Sequence, residues 1–119
     1  MSKINLTIAT GNYDRTRPIS DGRVQIEGVD PNHLFFSPEE MFYRAFRYQS
    51  FDVCELSFSS YCVGAGNPDF PYIAVPVFLS RSFRHSAVFI RNDAGIKQPA
   101  DLKGKTLGVT EYQLTANVW

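Results

Sequence analysis

The seven residues SRSFRHS at 80–86 place two arginines and a histidine between the apolar runs IAVPVFL and AVFIR. An unpaired charge buried between core strands is very costly, so Arg81, Arg84 and His85 are expected to meet an anion or water. Arginine carries a planar fork that matches carboxylate or phosphate, and eight of the twelve cationic residues are arginine. A second cluster, SFSS at 57–60, gathers hydroxyls where a helix is expected to begin. The free backbone N–H groups of such a terminus form an anion site, while ordinary capping by Ser57 or Ser59 would use the same groups. A solvated turn with exposed cations is the competing reading of SRSFRHS.

These groups must be positioned by strands and helices. INLTIAT enters an alternating apolar pattern at Ile4, Leu6 and Ile8 and reads as a first strand. The polar stretch TGNYDRTRPISDG is too long for a tight turn and reads as a functional loop. NHLFF at 32–36 is expected to be a strand, followed by a helix over SPEEMFYRAFRYQ. Ser37 can cap that helix, Pro38 suits its first position, and Glu40 completes a capping box. Met41, Phe42, Ala45 and Phe46 then share one apolar face, which should lie on a sheet. FDVCEL, YIAVPVFL, HSAVFIR and KTLGV read as further strands, with a helical turn at PADL and a new helix beginning near the carboxyl terminus. Strands alternating with helices point to an α/β fold with a mostly parallel sheet, whose ligands bind beyond the carboxyl ends of the strands.

The 12 acidic and 12 basic residues cancel, which leaves no global field to draw nucleic acid or an anionic membrane. No apolar run approaches the roughly 20 residues of a membrane span, and the amino terminus lacks a secretory pattern, so a cytoplasmic location is expected. Cys54 and Cys62 have no C-x-x-C spacing and are expected to be buried and reduced. His33, in a turn beside Pro31 and Asn32, reads as structural. The sequence ends at Trp119, just inside a helix that has barely begun, and reads as part of a longer protein.

The segment QPADLKGKTLGV resembles the entry into the second lobe of type II periplasmic-binding-protein-like folds, and EGVD with FDVCELSFSSY is similar to one branch of that superfamily. YDRTRP, SRSFRHS and EYQLTANVW together resemble the 4,5-dihydroxyphthalate decarboxylase family. The resemblance implies a two-lobed α/β protein, with residues 1–84 in the first lobe and 85–119 forming the crossover and the start of the second. It implies a carboxy-lyase acting on a hydroxylated aromatic dicarboxylic acid. The alternative is a solute-binding protein of an ABC-type uptake system for a small organic anion, which shares the fold without the chemistry. A regulatory ligand-binding domain is a further possibility, although nothing resembles a helix-turn-helix.

For such a substrate, Arg15, Arg81 and Arg84 are expected to supply forked donors. Ser59, Ser60 and Tyr61 would donate from a helix start, and Thr110 and Thr115 from the second lobe. Two unit charges about 4 Å apart interact by roughly 4 kcal/mol at an effective dielectric near 20, enough for two arginines to dominate recognition. His85 is the expected acid for ring protonation, and Glu111 or Asp14 the partner of the catechol edge. Asp14, Glu55, His85 and Glu111 match no metal-ligand spacing, so the reading includes neither metal nor cofactor.

Overall fold

The computed structural model describes residues 2–83 and 88–118. Strands β1 (Ile4–Thr10), β2 (Val29–Phe35) and β3 (Val53–Cys54) form a parallel sheet in the order β2-β1-β3. Ile8 of the central strand stands opposite His33 on one side and Val53 on the other. Helix α1 (Arg17–Ser20) is a single turn in the long polar loop after β1, α2 (Pro38–Tyr48) joins β2 to β3, and α3 (Phe58–Gly64) follows β3. A 3-10 turn at Pro99–Leu102 and the short α4 (Thr115–Val118) complete the chain. The parallel α/β class expected from the alternation of elements is what the molecule forms.

Local signals account for most of these elements. Gly28 adopts φ 75° in the EGVD turn, where its carbonyl accepts the Ile4 N–H at 2.9 Å and aligns the start of β2 beside β1. Helix α2 begins with Pro38 at its first position and Ser37 accepting the Glu40 N–H at 3.4 Å. The Glu40 carboxylate pairs forward with Arg44 at 2.6 Å, so only the Ser37 half of the expected box is seen.

The core joins Ala9, Met41, Phe42, Ala45, Phe51 and Leu114. Met41, Phe42 and Ala45 are buried as the helical period requires, whereas Phe46 is half exposed and stacks on Phe70 at 5.8 Å. In β1 the burial does not alternate. Ile8, Ala9 and Thr10 are all buried, because the carboxyl end of a central strand is covered on both faces.

The described residues of three expected strands form no strand, and residues 85–87 of HSAVFIR lie outside the described residues. Among the described residues, 72–79, 88–91 and 105–109 carry no ladder hydrogen bonds of a sheet, and Ile73 and Phe89 are each 91% exposed. An apolar run becomes a strand only beside a partner edge, and these segments lie along none. The thiols also depart from expectation, with Cys54 half-buried and Cys62 exposed. Among the described residues no helix is long and apolar enough to cross a membrane.

Candidate active site

Because the three strands run parallel, they deliver Thr10, Phe35 and Cys54 to one end of the sheet, and the residues that follow meet there. Glu55, directly after β3, is anchored to β1 by its backbone N–H, which donates to Ala9 O at 3.0 Å. Its carboxylate accepts the Tyr13 hydroxyl at 3.0 Å and the Gly11 N–H at 3.3 Å. The Tyr13 ring lies over Gly11 so closely that a Cβ at that position would come within 2.6 Å of Tyr13 Cζ. Burial first, and the Glu55 carboxylate second, hold the Tyr13 phenol above its ordinary pKa, so it remains a proton donor at neutral pH.

The Arg15 guanidinium stacks on this ring with Cζ 4.4 Å from the centroid. Arg15 Nε donates to Leu79 O at 2.7 Å, and its NH2 group reaches the same oxygen. The Asp14 carboxylate accepts the Arg15 N–H at 2.8 Å and lies 3.5 Å from the guanidinium. Its side chain is otherwise open to solvent. Through Leu79 O, the segment leading into SRSFRHS is held against the loop that follows β1.

At the start of α3 the hydroxyls form a second group. Thr115 Oγ1 accepts the Ser59 N–H at 3.1 Å and lies 3.1 Å from Ser57 Oγ, which accepts the Thr115 N–H at 3.2 Å. Ser59 Oγ donates to Gln113 O. Ser60 is buried with its hydroxyl unpartnered among the described residues, beside an open depression of about 360 Å³. Glu111 lines the same depression together with Arg47, Gln113 and the α2 aromatics Phe42 and Phe46, and its carboxylate accepts Gln113 Nε2 at 2.9 Å.

The expected residues therefore separate. Arg15 joins the strand-end group, and Ser59 meets Thr115. Ser60 and Glu111 share a depression between α2 and α3. Tyr61 turns away from both, with its hydroxyl oxygen accepting the Ala74 N–H at 3.2 Å and its ring 5.8 Å from Phe70. Thr110 is exposed, as is Arg81, whose guanidinium lies 5.8 Å from the Phe78 ring. Arg84 and His85 lie outside the described residues. His33 lies in strand β2 opposite Ile8, not in the expected turn, because Val29–Phe35 pairs along the whole of β1; its Nε2 is 2.9 Å from Thr10 Oγ1 and burial lowers its pKa.

Tyr13 and Glu55 were not among the site residues expected from sequence. Glu55 carried a readable signal, a carboxylate immediately after a buried strand, but nothing local joins it to Tyr13. Among the described residues no three His, Cys, Asp or Glu side chains converge on a metal position.

No family model matches the chain. Across all 119 residues it is 62% identical to a 4,5-dihydroxyphthalate decarboxylase of Pseudomonas putida and 64% identical to one of Comamonas testosteroni. The chain spans 46% of the first protein and 36% of the second. The resemblance carried by YDRTRP, SRSFRHS and EYQLTANVW thus extends through every element described above, and the chain is similar over its whole length to part of two 4,5-dihydroxyphthalate decarboxylases.

Proposed function

We propose that this chain is part of a decarboxylase of a 4,5-dihydroxyphthalate-like aromatic diacid. The observation that carries the reading is the 62% identity sustained over 119 residues with a protein of that name. The strand-end cluster supports it, because Arg15 presents a cation where a parallel sheet binds its ligands. A two-lobed periplasmic-binding-protein-like fold goes with this reading, with residues 1–84 in one lobe and 85–119 leading into the other.

The chemistry follows from the substrate. Each carboxylate of 4,5-dihydroxyphthalate is attached to a carbon para to a hydroxyl, which feeds electron density into that carbon. A proton is added there, the carbon–carboxylate bond breaks, its electron pair returns to the ring, and carbon dioxide leaves with 3,4-dihydroxybenzoate as the other product. The protein must hold one carboxylate and supply one proton. A cation on the departing carboxylate would stabilise the ground state more than the charge-dispersed transition state, so the arginines belong on the carboxylate that stays. Closure over the site would exclude water and strengthen these contacts.

The test is incubation with 4,5-dihydroxyphthalate, with carbon dioxide and 3,4-dihydroxybenzoate measured in equal amounts. Binding without turnover would replace the enzyme reading with that of a solute-binding protein. In the same assay Arg84→Ala is expected to raise KM about tenfold, and His85→Ala to lower kcat by roughly 100-fold or more. The reverse pattern would remove these roles.

A further inference from the structure

We propose that Glu55 is a positioning residue that holds the loop after β1 and, through Tyr13, aims the Arg15 guanidinium at the bound anion. The identity of that anion rests on the decarboxylase reading; the positioning itself does not.

Glu55 makes successive bonds along one path. Its backbone N–H meets Ala9 O at 3.0 Å, and its carboxylate takes the Gly11 N–H at 3.3 Å and the Tyr13 hydroxyl at 3.0 Å. Residue 55 therefore grips the carboxyl end of β1 and the loop beyond it. Tyr13 is fixed from both sides, by the carboxylate at its hydroxyl and by bare Gly11 beneath its ring. Arg15 then rests on that ring at 4.4 Å and extends to Leu79 O.

The ion pair seen for Arg15 is with exposed Asp14 at 3.5 Å, so Glu55 shapes the arginine's position through Tyr13 without pairing with it. Nε and NH2 of Arg15 are engaged by Leu79 O and NH1 faces Asp14, so a bound carboxylate would take NH1 in place of that exposed side chain. Removing the Glu55 carboxylate would release two donors together and leave the Tyr13 ring, and the cation upon it, free to shift.

A residue of purely structural value would change stability and leave recognition of the anion alone, so the test separates the two. Steady-state kinetics with 4,5-dihydroxyphthalate are measured for the wild type, Glu55→Ala and Glu55→Gln, alongside the NMR resonance of Arg15 Nε–H. Glu55→Ala is expected to raise KM about tenfold with kcat changed less than about threefold, and to broaden the Nε–H resonance. Glu55→Gln, whose amide oxygen still accepts one of the two bonds, should raise KM by only about threefold.

If the alanine variant does not fold, Glu55→Gln and Tyr13→Phe carry the test. Unchanged KM and an unchanged Nε–H resonance in the folded variants would overturn the proposal. A wild type that neither binds nor converts the diacid would overturn the decarboxylase reading, while the Nε–H comparison would still decide the positioning.

Discussion

Cys54 and Tyr72 pack together at the margin of the core, and burial pushes the thiol up to about 11 and the phenol up to about 12. The charge of Cys54, were it ionised, would raise Tyr72 further, as its second cause after burial. Both groups are acids with raised folded-state pKa values, so the unfolded chain releases their protons first. Their contribution to stability is whole below the ordinary thiol value of 9.0 and is lost as pH rises from there through about 11. The urea midpoint should therefore be level at neutral pH and decline above about pH 9, with the first part of the decline flattened in Cys54→Val. A decline of equal steepness in that variant would contradict the assignment to Cys54. The same residue-scale logic explains why Tyr13 serves Glu55 as a donor: burial and a neighbouring carboxylate both disfavour its ionisation.

Helix α2 shows how an element combines legible and hidden constraints. Its start follows from Ser37 and Pro38, and its buried face from the spacing of Met41, Phe42 and Ala45. Its end is less conventional. Gln49 closes the helix with φ 52° and donates its N–H to Ala45 O at 3.0 Å, a left-handed conformation that a residue with a Cβ adopts at a cost. Gln49→Gly is expected to stabilise the protein by about 0.5–1 kcal/mol, the relief of that conformation exceeding the entropy lost by glycine. Thermal or urea unfolding checks this, and a loss of stability would show that the Gln49 side chain compensates for its backbone. The ends of α3 and α4 are tied differently, by the Ser57, Ser59 and Thr115 hydroxyls, and a helix start capped from distant sequence cannot be read from its own residues.

The whole molecule has a radius of gyration of 18.1 Å and extents of 64 × 35 × 22 Å. A compact domain of this length is expected near 13–14 Å, so a substantial part of the chain lies away from the core. The described segments after α3 account for this, as Ile73, Val75, Phe89 and Leu107 are all exposed. Apolar side chains so placed bind hydrophobic dyes and favour association. Small-angle scattering of the monomeric 119-residue chain should give a radius near 18 Å, and Phe89→Asp should reduce the fluorescence of a bound naphthalene sulfonate dye. A radius near 14 Å would mean that these segments pack against the sheet in solution.

Taken alone, the sequence determined what depends on a few neighbouring residues. The Ser37–Pro38 start of α2, its apolar face, the three strands that form and the α/β class all follow from periodicity and local hydrogen-bonding chemistry. So does the resemblance in YDRTRP and SRSFRHS that the comparison of relatives extended to the full chain. Tertiary structure alone decided the order β2-β1-β3 and the failure of 72–79 to become a strand, because an apolar run does not specify the edge it will meet. It likewise joined Glu55 to Tyr13 across 42 positions and Ser59 to Thr115 across 56, and separated Glu111 from Arg15. Such contacts depend on which distant segments the folded backbone brings within hydrogen-bonding distance, and that information is absent from the spacing of residues along the chain.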